Sequence, residues 1–194
     1  TWANHAERER LAKPVLYLDG MARLSVTRSA DLGGFDDGDG DQPAILALLK
    51  DPEAMESLRD LTADALDAYL VLDIATRGEK VIWRLAQVEP PKGIETSYTR
   101  EAREFHKAAA RLDERSDGIH AFVGMIAAIL AKPIDLVFID EPEAFLHPPL
   151  VRKLARQLAF LALEDDKQFF IATHSADLLE AFVSGGAEVN IIRL

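Results

Sequence analysis

Two carboxylates and an imidazole are the groups of this chain best suited to chemistry. Asp140 and Glu141 close the apolar run Ile134, Leu136, Val137, Phe138, Ile139 and stand before Pro142, and His174 follows a second apolar run over residues 168–173. A strand of a parallel sheet is apolar on both faces and releases polar residues at its carboxyl end, where open α/β sheets bind ligands. Adjacent acids there can divide the work of nucleotide hydrolysis. One supports Mg²⁺ through its water shell, while the other orients or deprotonates the attacking water. The plain alternative is that Asp140-Glu141 caps the next helix and faces solvent. A lone histidine is more often structural than catalytic, but one delivered at the end of the very next strand favours the functional reading of His174.

A third candidate is Ser116-Asp117-Gly118, a small polar triplet opening the strongly apolar helix over residues 119–130. Serine is a good N-cap, and a helix amino terminus with free N–H groups beside a glycine suits phosphate. It equally suits an ordinary cap. His147, in Leu146-His147-Pro148-Pro149, either touches a partner subunit or closes a turn. A zinc site from His147, His174 and the acids lacks the H-E-x-x-H or paired-histidine spacing such sites use. The acidic stretch 33–41 fails as a calcium loop. Counting from Asp37, its sixth position is Gln42 rather than glycine and its twelfth is Leu48 rather than glutamate.

The elements that must position these groups follow from periodicity. The helix over 119–130, the strand ending in Asp140, an amphipathic helix over 148–163 and the strand over 168–173 form an alternation that predicts an α/β fold with parallel strands. Upstream, residues 15–18 and 23–27 read as strands of a hairpin turning at Asp19-Gly20. Residues 42–77 read as two helices split at Asp51-Pro52, with Tyr69 and Leu70 on the inner face of the second. Residues 80–88 read as a strand, and 98–115 as a charged helix whose basic residues are interspersed with acids and face solvent. Residues 190–194 read as a further strand, one sign that the chain is a fragment. Two regions are expected: 1–114, a hairpin with a helical middle region, and 115–194, the lobe bearing the candidate residues.

Composition bounds the partners. A net charge of −11 argues against a broad basic surface for nucleic acid. No run approaches the ~18 apolar residues of a membrane span, and no signal-peptide pattern is present; the lack of cysteine fits the cytoplasmic protein that is expected. The chain has no cysteine, which excludes disulfides and thiolate metal sites.

Three segments in order, SDGIHAFVGM, IDLVFIDEPEAFLHP and FFIATHSADLL, resemble the signature, Walker B and switch-histidine motifs of ABC-type ATPases. The Glu-Pro-Glu-x-x-Leu-His-Pro form resembles more narrowly their AAA-like branch of the overcoming-lysogenization-defect (OLD) type, whose members act in DNA repair or phage defence. The resemblance covers about residues 115–194. It implies the carboxyl-side lobe of an ABC-type P-loop NTPase fold that binds ATP and Mg²⁺ in a head–head homodimer, with DNA or a nuclease as a further partner. Asp140 would support Mg²⁺, Glu141 would polarise the hydrolytic water and His174 would contact the γ-phosphate. Ser116, Asp117 and Gly118 would reach across the dimer to the other subunit's nucleotide.

The sequence departs from that family in two ways. Asp117-Gly118-Ile119 replaces the transporter-type Gly-Gly-Gln, and His147 stands where transporter cassettes have aspartate, which points away from transporters. More consequentially, no G-x-x-x-x-G-K-[ST] phosphate loop occurs in the 194 residues. The expectation is therefore a part of a longer ATPase, weak in binding ATP alone, or else a non-catalytic interaction module that has lost that loop. A metal-dependent nuclease using the same acids would need more carboxylates converging on one point.

Overall fold

A computed structural model of the chain describes residues 15–32, 42–76, 80–164, 167–186 and 188–193. In order these form β1 (Val15–Leu18), α1 (Gly20–Val26), β2 (Ala30–Asp31), α2 (Ala44–Lys50), α3 (Pro52–Leu66), β3 (Tyr69–Asp73) and β4 (Lys80–Ala86). Then follow α4 (Arg100–Ala108), β5 (Ala110–Arg111), a 3₁₀ turn (Leu112–Glu114), α5 (Asp117–Leu130), β6 (Leu136–Asp140), α6 (Pro148–Glu164), β7 (Gln168–Ala172) and α7 (Ala176–Ser184). The stretches 1–14, 33–41 and 77–79, including the acidic loop weighed against calcium, lie outside the described residues.

The fold is α/β with two sheets. The parallel sheet has the order β1-β6-β7, and the antiparallel one the order β2-β4-β3 with β5 also on β4. In the parallel sheet Leu16, Val137 and Phe169 share one rung, and Leu18, Ile139 and Ile171 another. These rungs face the main core, where Leu18, Val137 and Ile139 pack with Phe122, Ile126, Ile129, Leu154 and Leu158. The rung between them, Tyr17, Phe138 and Phe170, points the other way. Tyr17 and Phe170 are exposed there, and Phe138 stacks on Phe170 with ring centroids 4.9 Å apart. Among the described residues the expectation of a sheet buried on both faces is thus met on one face only, the one packed into the main core.

Three sequence expectations are corrected. Asp19-Gly20 is no hairpin turn: Asp19 caps α1, its Oδ1 accepting from the Ala22 N–H at 2.7 Å, and the expected strand over 23–27 is helical. An Asp-Gly pair suits either role, and the parallel pairing of β1 with the distant β6 decides between them. Tyr69 and Leu70 lie in β3, not on α3, because the helix ends at Asp67 in a left-handed conformation (φ 53°). Residues 188–193 form no strand.

Three other helix starts follow local rules. Asp51 accepts from the Glu53 and Ala54 N–H groups with Pro52 in the first turn of α3, Thr99 caps α4, and Ser175 caps α7. Inside the antiparallel sheet the Arg84 guanidinium donates to the buried Asp73 carboxylate at 2.6 Å and to the Ala109 carbonyl at 2.9 Å.

Candidate functional site

The carboxyl ends of β6 and β7 lie side by side, Asp140 opposite Ala172. The Glu141 N–H prolongs the ladder by donating to the Ala172 carbonyl at 2.8 Å. Directly afterwards the chain breaks away. Glu141 adopts φ 45° and Phe145 φ 71°, left-handed conformations that non-glycine residues adopt rarely and that cluster at functional sites. The turn between them is closed by Ala144 N–H donating to the Glu141 carbonyl and Leu146 N–H to the Glu143 carbonyl, each at 2.9 Å.

This turn brings the acid and the imidazole together. His174 Nδ1 is 3.1 Å from Glu141 Oε1 and 3.9 Å from Glu143 Oε1, with His174 and Glu141 both largely open to solvent. The contact with Glu141 becomes an ion pair when the imidazole is protonated. Glu143 is nearly buried; its Oε1 accepts from the Thr173 hydroxyl at 2.7 Å, and that hydroxyl oxygen accepts from the Ser175 N–H at 2.9 Å. Thr173 thus fixes both the second glutamate and the start of α7. Asp140 is exposed at the strand end, one residue before the turn.

Beneath the turn lies Arg23 of α1, fully buried. Its Nη2 donates to the Asp140 carbonyl at 3.3 Å and the Glu141 carbonyl at 3.1 Å, and its Nε to the Asp19 carbonyl at 3.1 Å. Burial pulls its guanidinium below the usual pKa, against the attraction of Glu143, Asp19, Asp140 and Glu141. Sequence reasoning missed both Arg23 and Glu143. The Glu-Pro-Glu spacing was a signal for Glu143, whereas a single arginine in a short helix carries none.

At the start of α5, Ser116 and Asp117 make no polar contact with this cluster, whereas Gly118 lies against its turn. Ser116 has the backbone of an N-cap (φ −69°, ψ 153°), but its hydroxyl makes no capping hydrogen bond. Among the described residues Ser116 and Asp117 are exposed and make no hydrogen bond or ion pair with the acids or His174. Gly118 has a local reason to be glycine: a Cβ there would meet the Phe145 carbonyl oxygen at 2.6 Å, so α5 begins directly against the acid turn. His147 is exposed, and its carbonyl accepts from the Leu150 and Val151 N–H groups, opening α6.

The donor set suits a hard cation held loosely. Mg²⁺ keeps several waters and takes one or two protein carboxylates with substrate phosphates, so a single exposed aspartate suffices. Among the described residues no three His, Cys, Asp or Glu side chains converge as a protein-only metal site. No helix among them is long and apolar enough to cross a membrane.

The likeness to OLD-type proteins read from the motifs holds in sequence. A 50-residue stretch is 46% identical to the Old nuclease of Escherichia phage P2, covering 26% of this chain and 8% of that protein. The chain therefore matches only a small part of that relative's length. Among solved structures, an SMC ATPase studied for ATP-driven dimerization and DNA-stimulated activation aligns at 14% identity and a TM-score of 0.48, over 71% of this chain and 77% of that one. An SmcHead bound to the C-winged helix domain of ScpA aligns at 12% identity and a TM-score of 0.48, over 84% of this chain and 44% of that one. The family described as "AAA domain, putative AbiEii toxin, Type IV TA system" matches residues 3–180, nearly the whole chain, and the chain belongs to it.

Proposed function

We propose that the chain is the Walker B and switch-histidine lobe of an ABC/AAA-like ATPase, hydrolysing ATP at a head–head dimer interface in a DNA-repair or phage-defence system. The observation that carries this reading is the 3.1 Å approach of His174 Nδ1 to Glu141 Oε1 at the ends of two adjacent parallel strands. Family membership and the local identity to the Old nuclease support the same chemistry.

In this reading Glu141 accepts a proton from the attacking water and aims it, since its carboxylate is exposed and the turn behind it is closed by hydrogen bonds. His174 would donate to a phosphate oxygen from a protonated Nε2, with its Nδ1 3.1 Å from Glu141 Oε1. Asp140 would hold Mg²⁺, which when bound neutralises charge on the phosphates. Ser116, Asp117 and Gly118 would meet the nucleotide of a second copy, and the phosphate loop would come from outside these 194 residues. Opening of the dimer after hydrolysis would act on DNA or on an attached nuclease.

The test is Mg²⁺-dependent phosphate release by the natural full-length gene product, with Glu141→Gln and His174→Ala beside wild type. Loss of a general base lowers turnover by roughly 10²–10⁴-fold, and Glu141→Gln is expected to fall in that range with nucleotide binding retained. The absence of a phosphate loop from the sequence favours one competing reading, a non-catalytic interaction module. An inert full-length product with no loop anywhere in it decides for the module.

A further inference from the structure

We propose that Arg23 is the positioning residue of the acid turn, holding Glu141 in register with His174 and tying both to helix α5. The proposal deepens the ATPase reading and rests on it for its kinetic consequence alone. Arginine is almost never fully buried unless its donors are engaged, and here the bonds run to backbone: the carbonyls of Asp19, Asp140 and Glu141. A planar guanidinium fixes such acceptors relative to one another in a way a point-charge ammonium cannot. Two of the three belong to the residues that leave β6, one of them in the left-handed conformation. The turn is thus clamped from below at the place where its backbone is least favourable.

The same side chain reaches toward the histidine side. Arg23 Nη1 and Glu143 Oε2 are both buried without a hydrogen-bond partner, and Glu143 is the foremost attraction on the Arg23 charge. Glu143 in turn holds Thr173, the residue before His174, and lies 3.9 Å from His174 Nδ1. On its other side Arg23 is locked to α5: a Cβ on Gly124 would lie 2.0 Å from the Arg23 carbonyl oxygen. Thr27, which caps the end of α1, shares a 2.8 Å hydrogen bond with His120 Nδ1. Close-packed interiors transmit such displacements rather than absorb them. A movement of α5 therefore carries Arg23, and with it the carbonyls that orient Glu141.

The test is amide hydrogen exchange on the 194-residue chain with Arg23→Lys, which keeps the charge and loses the fork. Arg23→Gln, neutral and shorter, keeps the test open if the lysine variant does not fold. Exchange at Ala144 and Leu146, whose amides close the turn, is expected to rise by about tenfold or more while amides of α3 keep their protection. In the full-length protein kcat should fall by about 10²-fold, the penalty of a misaimed group, with KM for Mg-ATP changed much less. An unchanged turn overturns the proposal, as does an even rise across the chain, which would mark Arg23 as a general core residue. A loosened turn with unaltered kcat also overturns it. A wild-type protein without ATPase activity sinks the ATPase reading and leaves the exchange result to judge Arg23.

Discussion

Replacing Gly124 by alanine tests the packing on which the site stands, because two opposite signs are possible. In an isolated helix alanine is favoured over glycine by about 1 kcal/mol, and Gly124 lies in the interior of α5. Where α1 crosses α5, however, the added Cβ would sit 2.0 Å from the Arg23 carbonyl oxygen and 3.0 Å from its carbonyl carbon. Both atoms are backbone, so relief requires moving a helix by about 1 Å rather than rotating a side chain. Overpacking of this kind costs about 1–3 kcal/mol, and a rigid backbone contact belongs near 3. With the propensity gain subtracted, the net loss is about 2 kcal/mol, or roughly 4–8 °C in Tm for a chain of this size. Urea denaturation followed by circular dichroism, beside wild type, measures it. A variant equal to or more stable than wild type would refute the close crossing, and with it the path from α5 through Arg23 to Glu141.

Gly118→Ala should cost less than Gly124→Ala despite its 2.6 Å encounter with the Phe145 carbonyl, because Phe145 is exposed and lies beyond the two carbonyls that Arg23 holds; the same denaturation series ranks the two. Asp73 is buried against Arg84, and removing one partner of such a pair costs about 3–5 kcal/mol, so Asp73→Asn should be strongly destabilised at neutral pH. Burial opposes the Asp73 charge, but hydrogen bonds from Thr76 and Arg84 overcome it and hold the carboxyl below its ordinary value of 3.8. A depressed folded pKa gives stability that is present above 3.8 and is lost as pH falls through the folded value. The gap between wild type and Asp73→Asn should accordingly narrow below about pH 4, and a gap constant from pH 7 to pH 3 contradicts this. Asp51→Ala removes the acceptor for two α3 amides and should cost about 1 kcal/mol by the same method.

Much of the carboxyl-side half is legible without coordinates. The apolar runs ending in Asp140 and His174, with an amphipathic helix between them, admit little besides a parallel pair with a crossover, and the structure has that pair with ends within a residue or so of the expected ones. The upstream half is less legible because its signals are ambiguous over short spans. Asp-Gly serves both as a hairpin turn and as a helix cap. The apolar spacing that runs through α3 continues past Asp67 into a strand, because a buried strand and a buried helix share composition.

What the sequence determines by itself is the supply of groups: two acids at one strand end, an imidazole at the next, an apolar helix opening at Ser116 before them, and no phosphate loop. Their meeting is decided only by tertiary structure. β1 and β6 are far apart in sequence and pair in parallel, which carries α1 under the turn and buries Arg23 against the carbonyls of Asp140 and Glu141. Such contacts depend on which surfaces bury the most apolar area together, a property of the whole chain that no local pattern encodes.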